Sequence, residues 1–347
     1  MATTLADLAK ELGVSMMTVS RAINNHAAIH PETRARVLAA VKRLNYHPNQ
    51  HARALLTNRS HLLGLVVPDL MHSYYAEIAK AIEAEARTAG YEVLICNTEE
   101  DGDSELREVG ALRHRTDGLI IASAVAPTQV TAYRKMLREG ARIVLIDRRL
   151  DNLRCPVVTT DNVRVGAMVT EHLIQLGHRR IGHLRGPDVS VARDRLEGYK
   201  QALAAHRLRF DEGLARACGF FEENGYDVMR AWIQEGNYPT AIYAANDPAA
   251  IGALRALVEA RIKVPREVAV VGSGAIHYGD LLRIPLTTVT WDKTELGRRA
   301  ARRLIELIEG KDDKPNSQPA ALLEPELVVR QSCGAGIKAT NARTIKR

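Results

Sequence analysis

The segment 3–23, TTLADLAKELGVSMMTVSRAI, constrains this chain most, because its pattern is that of two short helices joined by a tight turn. Apolar residues recur at helical spacing and predict one buried face: Leu5, Leu8, Ala9 and Leu12. Gly13 suits the left-handed residue that ends a helix, and Ser15 is placed to cap the next helix. Val19 and Ile23 then pack back on the first helix, as in a helix-turn-helix.

The start of the second helix is expected to face outward, where a helix-turn-helix contacts the major groove of DNA. The residues concerned are Met16, Met17, Thr18 and Arg21. A third helix is predicted from Pro31 to about residue 44, with a buried stripe formed by Val37, Leu38, Val41 and Leu44. Residues 1–46 are therefore predicted to form an all-α DNA-binding headpiece, although other small helical hairpins share parts of this pattern.

The charge distribution supports a DNA-binding headpiece. Residues 1–60 hold eight Lys or Arg and three Asp or Glu, and residues 331–347 hold four basic residues and no acid. Since the net charge is +7, the rest of the chain is slightly acidic. A basic module attached to a near-neutral body is typical of proteins that bind nucleic acid. The basic end, 331–347, is predicted to be a disordered tail.

Residues 47–60 connect the headpiece to the remainder. Pro48 ends the preceding helix, and Asn49 could cap a short new one. Leu55 lies in basic, His-rich surroundings. The segment is either a flexible linker or a hinge helix that orders on DNA and inserts a leucine into the minor groove.

From His61 onward, strand and helix patterns alternate. LLGLVVP, YEVLIC, DGLIIAS and ARIVLID are predicted to be buried parallel strands, and RRIGHLRG, PTAIYAAN and EVAVVGSG continue the cycle. Two doubly wound α/β sheets in tandem are expected over 61–330: one lobe of residues 61–160 and 292–320, the other of 161–291 and 321–330. The cleft between the lobes is the expected site for a small ligand.

Several classes of protein lack their expected signals. No stretch of about 18 apolar residues predicts a membrane span, and the N-terminus lacks a secretory pattern, so a cytoplasmic protein is expected. The four cysteines form no C-x-x-C pair, and no metal-ligand spacing, phosphate loop or nucleophile elbow is present. Gly272-Ser273-Gly274 lacks the third glycine of a dinucleotide loop, since residue 277 is His. Neither catalysis nor a cofactor is predicted.

The order of the motifs resembles the lac/purine repressor family of bacterial transcription regulators, from Thr4 to about Arg330. The matching segments are LADLAKELGVSMMTVSRAIN, ETRARVLAAVKRLNYHPNQHARAL, LGLVVPDL, TDGLII, HLIQLGHRRIGHLRGP, RLEGY, AANDPAAIGAL, VPREVAVVG and PLTTV. The resemblance implies a helix-turn-helix headpiece on a two-lobed body like that of periplasmic binding proteins. It also implies a homodimer on a palindromic operator, switched by a small-molecule effector such as a sugar.

The resemblance also assigns residues to DNA contacts. Met16, Met17 and Arg21 match base-reading positions, where relatives usually carry polar residues. Thr18, Ser20, Asn25 and Thr33 are expected on phosphates, and Ala52, Arg53 and Leu55 in the hinge, with Leu55 as the wedge.

For the effector cleft, the matching positions are Tyr74, Tyr75, Asp161, Arg195, Phe221, Asn246, Gly274 and Trp291. Relatives commonly carry an acid at the position of Gly274. If Asp161 or Asp247 neutralises Arg195 instead, the change says nothing about the ligand. Otherwise the effector itself is expected to be anionic, as a sugar acid or sugar phosphate is.

Two other functions share these features. A regulator of the catabolite-control type would answer mainly to a phosphocarrier protein as corepressor. A solute-binding protein shares the two-lobed body but needs neither the headpiece nor a cytoplasmic location. The tail carries no leucine heptads, so a dimer is expected rather than a tetramer.

Overall fold

A computed structural model describes residues 3–23, 25–46, 59–311 and 321–335. The chain divides into two compact units, Met1–His61 and Leu62–Arg347, here called the headpiece and the body. In the described parts of the chain, no helix is long and apolar enough to span a membrane.

The described headpiece contains the helices α1 (Leu5–Leu12), α2 (Met16–Ile23) and α3 (Pro31–Arg43). Thr4 and Asp7 form a capping box at the start of α1, and Gly13 ends it with φ +67°. The Ser15 hydroxyl accepts a hydrogen bond from the backbone N–H of Thr18 at 3.1 Å and caps α2. The predicted helix-turn-helix is therefore confirmed.

A small core joins the three helices, and its buried members are Leu8, Ala9, Val19, Ala22, Val37, Ala40 and Tyr46. The prediction that Leu38 is part of the buried stripe was wrong, because its side chain is 46% exposed. Val37, Ala40, Val41 and Leu44 already complete one face at helical spacing, and Leu38 lies about 100° away from Val37 around the helix.

The body contains twelve described strands: β1 (Leu62–Val67), β2 (Glu92–Asn97), β3 (Gly118–Ile121), β4 (Ile143–Ile146), β5 (Val157–Thr160), β6 (Ile181–Arg185), β7 (Ala215–Ala217), β8 (Ala241–Ala244), β9 (Ala269–Val271), β10 (Thr288–Thr290), β11 (Ala321–Leu323) and β12 (Glu326–Val328). Two sheets are parallel, with strand orders β11-β5-β4-β3-β1-β2 and β7-β6-β8-β9. The two doubly wound sheets expected from the alternating pattern are therefore present.

Eight described helices accompany these strands: α4 (Ser73–Thr88), α5 (Gly102–Leu112), α6 (Val130–Arg138), α7 (Asn162–Gln175), α8 (Ser190–Ala205), α9 (Glu222–Gln234), α10 (Asp247–Glu259) and α11 (Lys293–Glu309). Helix α4 packs on α11 beside the first sheet, while α7 packs on α8 and α9 on α10 beside the second. The sheet with β1 to β5 defines the first lobe, and the sheet with β6 to β9 defines the second.

The chain passes between the lobes at three places. It leaves the first sheet between β5 and α7 and returns between β10 and α11. The third passage follows β11, where β12 pairs antiparallel with β10. The carboxyl ends of the parallel strands therefore face the cleft that these passages border.

Three expectations about the body need correction. Residues 321–323 were assigned to the second lobe, but Ala321–Leu323 pairs with β5 in the first sheet. The segment YEVLIC was predicted to be buried, but β2 is an edge strand whose side chains are exposed or half-buried. The tail was predicted to begin at residue 331, but Ser332 and Cys333 are buried, and the Ser332 hydroxyl donates to the Val270 carbonyl at 2.6 Å.

Candidate functional site

The first turn of α2 presents apolar side chains to solvent. Met16 is 55% exposed and Met17 is 61% exposed, and Arg21 one turn further along is exposed as well. Thr18 and Ser20 are half-buried. Exposed methionines at the start of a helix contribute nothing to the headpiece core, so this surface is available for a partner.

Two of the other expected DNA contacts lie at helix boundaries. Asn25 follows α2, is exposed and has φ +55°. Thr33 lies in the first turn of α3 and is half-buried. The expected hinge residues Ala52, Arg53 and Leu55 lie outside the described residues, so their roles stay predictions.

A cavity between the lobes has an empty volume of about 480 Å³, part of it open to solvent. Its lining includes Asp69, His72, Tyr74, Tyr75, Glu100, Asp147, Arg148, Val191, Arg195, Phe220, Phe221, Asn246, Ser273, Gly274 and Trp291. Seven of the eight residues expected at the effector site are in this lining. Asp161 is not in the lining; its carboxylate caps α7 by accepting from the backbone N–H of Arg164 at 2.9 Å.

A buried carboxylate dominates the wall formed by the first lobe. Asp147 directly follows β4 and accepts hydrogen bonds from the hydroxyls of Tyr74 at 2.8 Å and Tyr75 at 3.0 Å. Burial, followed by the charge of Asp147, raises the pKa of the Tyr74 phenol well above its usual value. The indole N–H of Trp291 donates to the Tyr74 oxygen at 3.3 Å. The phenols are thus neutral donors that fix the position of the carboxylate.

A second buried charge on this wall has its own counter-ion. Arg148 is 2% exposed, and its Nη1 donates to Glu100 Oε2 at 2.7 Å. Its other terminal nitrogen donates to the second Glu100 oxygen, and the guanidinium lies 5.1 Å from the centre of the Phe220 ring. Arg148 Nε also lies 3.9 Å from Asp147 Oδ2, so this one guanidinium faces two carboxylates, with Glu100 as the closer partner.

The wall formed by the second lobe carries a buried cation. Arg195 on α8 is 4% exposed; its Nε donates to Asn162 Oδ1 at 2.9 Å, and Nη1 donates to the Ala245 carbonyl. Its guanidinium lies 5.6 Å from the centre of the Trp291 ring. Among the described residues, no carboxylate lies within ion-pair distance of Arg195.

Neither acid considered as a counter-ion pairs with Arg195. Asp161 caps α7, and the fully buried Asp247 accepts from the Thr288 hydroxyl at 2.6 Å and the Ile276 backbone N–H at 2.8 Å. A surface ion pair of Arg195 with a neighbour on α8 is also absent from the described structure, since Asp194 bonds Arg149. The guanidinium is therefore buried with neutral partners only, an arrangement that favours an anionic ligand.

Two other residues expected at the effector site, Asn246 and Gly274, are accounted for by the local backbone. Asn246 caps α10 by accepting from the Ala249 N–H at 2.9 Å, and its amide donates to the Phe220 carbonyl at 2.8 Å. Gly274 has φ +117°, and no atom lies within 4 Å of the place where a Cβ would be. The place where the family resemblance leads us to expect an acid is therefore open, and the backbone there favours glycine.

Sequence reasoning missed several lining residues, notably Asp69, His72, Glu100, Asp147 and Arg148. Asp69 and Asp147 come soon after β1 and β4, so the rule that ligands bind at the carboxyl ends of parallel strands could have found them. His72 has no comparable signal. Burial lowers its pKa to about 4, so its ring is neutral at pH 7. The described residues contain no cluster of His, Cys, Asp and Glu suited to a metal ion.

Two family models match parts of this sequence. Residues 4–49 match the model described as "Bacterial regulatory proteins, lacI family", and residues 170–333 match a "Periplasmic binding protein-like domain". Among curated relatives, the HTH-type transcriptional repressor PurR of Haemophilus influenzae (strain PittEE) is 32% identical over 331 residues, which is 95% of this chain and 98% of the relative. The ribose operon repressor of Halalkalibacterium halodurans is 32% identical and covers 98% of this chain and 100% of its own length.

Solved structures give the same result. A lac repressor dimer bound to operator and the anti-inducer ONPF has a TM-score of 0.85 and 30% identity, and the match covers 96% of this chain and 99% of that one. The transcriptional regulator CelR in complex with cellobiose has a TM-score of 0.71 and 29% identity, covering 95% and 99%. These relatives are transcriptional regulators rather than enzymes. With its helix-turn-helix headpiece and two-lobed body, this chain belongs to the lacI family of bacterial regulatory proteins.

Proposed function

We propose that this repressor-type regulator binds a palindromic operator as a homodimer and is switched by an anionic sugar derivative in the cleft. The observation that carries the effector class is the buried Arg195, which has neutral partners only. A sugar acid or sugar phosphate would supply the missing negative charge.

The opposite wall supports a ligand that also carries hydroxyl groups. Asp147 offers acceptor lone pairs beyond the two that Tyr74 and Tyr75 use. Phe220, Phe221 and Trp291 provide apolar surface against which the C–H face of a sugar ring can pack. The names of the relatives agree with a carbohydrate, since one represses a ribose operon and CelR was solved with cellobiose.

A thermal-shift screen of the full chain at fixed ionic strength tests the effector class. The probes are matched sets of neutral sugar, sugar acid and sugar phosphate, such as glucose, glucuronate and glucose 6-phosphate, with equivalent sets for pentoses and other hexoses. A ligand at a hundred times its dissociation constant adds about 2.7 kcal/mol of stability. We expect shifts only with anionic members. A shift with neutral sugars as large as with their anions would contradict the anionic class.

The proposed contacts with DNA bases are based on the exposed first turn of α2. Since Met16 and Met17 have no role in the headpiece core, we propose that they contact thymine methyl groups while Arg21 bonds a guanine. Two-fold symmetry in the protein requires approximate two-fold symmetry in the operator. Selection of bound sequences from a random DNA library should therefore yield a palindrome, and sedimentation should give two chains per duplex.

The double variant Met16→Ala and Met17→Ala should weaken binding to the selected operator at least about tenfold, because base contacts are lost, and leave non-specific binding within about twofold. Leu38→Ala removes another exposed apolar side chain of the headpiece and serves as the control. Equal losses on specific and random DNA would exclude base reading by the methionines.

The alternative of a phosphocarrier protein as corepressor stays a prediction, which the same operator assay tests when that protein replaces the small molecule.

A further inference from the structure

Four charged side chains join the lobes at the edge of the cleft: Arg149 and Asp151 from the first lobe, and Arg193 and Asp194 from the second. We call them the rim cluster. We infer that the rim cluster is a positioning device that holds the lobes closed, sets the spacing of the two cleft walls and makes closure sensitive to salt. Its relevance to the effector rests on the proposed function of the cleft.

The contacts are reciprocal. Nη2 of Arg149 donates to Asp194 Oδ1 at 2.8 Å, and Nη1 bonds the other oxygen of the same carboxylate. In the opposite sense, Nη2 of Arg193 donates to Asp151 Oδ2 at 2.5 Å. Each lobe therefore supplies one cation and one anion. A backbone contact adds to these pairs, since the Arg149 N–H donates to the hydroxyl of the buried Ser190 at 2.9 Å.

In the sequence, two residues of the rim cluster are close to the charged residues of the cleft walls, Asp147 and Arg195. Arg149 comes two residues after Asp147, and Asp194 directly precedes Arg195. A fixed Arg149–Asp194 contact thus fixes where the carboxylate of one wall stands relative to the guanidinium of the other. Because Arg149 and Asp151 follow β4 of the first lobe, whereas Arg193 and Asp194 lie on α8 of the second, separation of the lobes breaks these contacts.

Partial exposure makes this device responsive to ionic strength. The Asp194 side chain is 16% exposed, but Arg149 is 43% exposed and Asp151 is 49% exposed. Exposed charge pairs are screened by salt, whereas the buried apolar contacts of the body are not. The rim cluster thus favours closed lobes at low salt and favours them less at high salt.

Hydrogen exchange of the full chain, read by mass spectrometry without any ligand, tests this inference. The readouts are the peptides that contain Arg149 and Arg195. Loss of one paired contact is expected to raise the open-to-closed ratio, and so the exchange rate, about fivefold in Arg149→Ala. The wild type should show a similar rise between 50 mM and 500 mM salt, and the variant should show a smaller rise, because only the Arg193–Asp151 pair is left to be screened.

A charge exchange and a matched control complete the test. Arg149→Asp combined with Asp194→Arg should restore most of the protection that either single substitution removes. Arg113→Ala removes a comparable ion pair, with Glu139, inside the first lobe and should leave both peptides unchanged. Exchange that responds neither to salt nor to Arg149→Ala, or a double variant no better protected than the singles, would overturn the inference. Because no ligand is used, this outcome is independent of whether the cleft binds an anionic sugar.

Discussion

Arg148 and Arg195 are two cleft arginines that are almost equally buried but differ in their partners. Arg148 is bonded to both oxygens of Glu100, whereas Arg195 has an amide oxygen and a backbone carbonyl. A buried cation with a bonded carboxylate is costly to remove, since its partner stays behind unpaired. A buried cation without a carboxylate is itself a cost to folding, which agrees with the proposed role of Arg195 in binding an anionic ligand.

Replacement of each arginine by methionine tests this difference. We expect Arg195→Met to leave the melting temperature unchanged or to raise it, because an uncompensated buried charge is lost. We expect Arg148→Met to lower the free energy of unfolding by about 2–4 kcal/mol, because Glu100 then loses its counter-ion. Thermal and urea unfolding measure both. If Arg195→Met is as destabilising as Arg148→Met, then Arg195 has a structural role.

Some residues of the cleft could be assigned from the sequence and others could not. Arg195 was assigned to the cleft because it begins the matching segment RLEGY, and Trp291 was assigned because it lies two residues after PLTTV, where the chain crosses between the lobes. Asp161 and Asn246 were both assigned to the cleft, and both cap the helix that follows a strand, but only Asn246 also lines the cavity. The two positions look alike in sequence. The pairing of Arg149 with Asp194 gave no signal in the sequence, since it depends on how the two lobes meet.

In the second lobe, paired helices pack closely because glycines lie at their contacts. This close packing positions residues of the cleft, such as Arg195. A Cβ on Gly166 of α7 would lie 2.1 Å from the Arg195 carbonyl oxygen, and one on Gly198 of α8 would lie 1.9 Å from the Val163 carbonyl oxygen. The helices thus pack backbone to backbone, and α8 holds Arg195 at a fixed depth. Gly225 and Gly252 form the same kind of contact between α9 and α10.

Gly166→Ala should therefore destabilise the body by about 1–3 kcal/mol, since the added methyl group forces the two helices apart at Arg195. The matched control is Gly110→Ala in α5, where no atom lies within 4 Å of the added carbon. That substitution should be neutral or stabilise by up to about 1 kcal/mol through helix propensity. Urea unfolding of both variants gives the comparison. A Gly166→Ala variant as stable as Gly110→Ala would contradict close packing at Arg195.

Elements with a clear period or a buried apolar run could be predicted from the sequence, including the three-residue β9 in EVAVVGSG, but the other three-residue strands could not. The helix-turn-helix and the apolar runs of β1, β3 and β4 carry strong patterns, and all are present. The strands β7, β10, β11 and β12 have only three residues each, too few for a period to register. β11 belongs to the first sheet because the chain returns to the first lobe before residue 321. No local sequence pattern predicts this return.

Across the whole molecule, buried histidines couple folding to pH. His183 in β6 is fully buried, and its ring stacks on Tyr243 with the ring centres 4.4 Å apart. Burial lowers the pKa of His183 to about 4, below the ordinary value of 6.5. Between these pH values the unfolded chain binds a proton that the folded chain does not. Stability should therefore fall as pH decreases from about 6.5 to 4.

The variant His183→Asn removes this titration and keeps a donor near the Tyr243 carbonyl. Relative to the variant, the wild type should lose up to about 1.4 kcal/mol of unfolding free energy per pH unit over this range. Urea unfolding at several pH values measures the difference, and a constant difference from pH 7 to pH 4.5 would mean that His183 does not titrate as burial requires.

The central claim is that an anion held by Arg195 changes the affinity of the protein for its operator. The most direct measurement is fluorescence anisotropy of the selected operator titrated with the wild type and with Arg195→Met, with and without the matched neutral and anionic sugars. We predict that an anionic sugar changes the operator dissociation constant of the wild type by about 5- to 150-fold, in either direction. The variant should bind the operator normally and not respond. An equal response of both proteins, or a response of the wild type to neutral sugars alone, would contradict the claim.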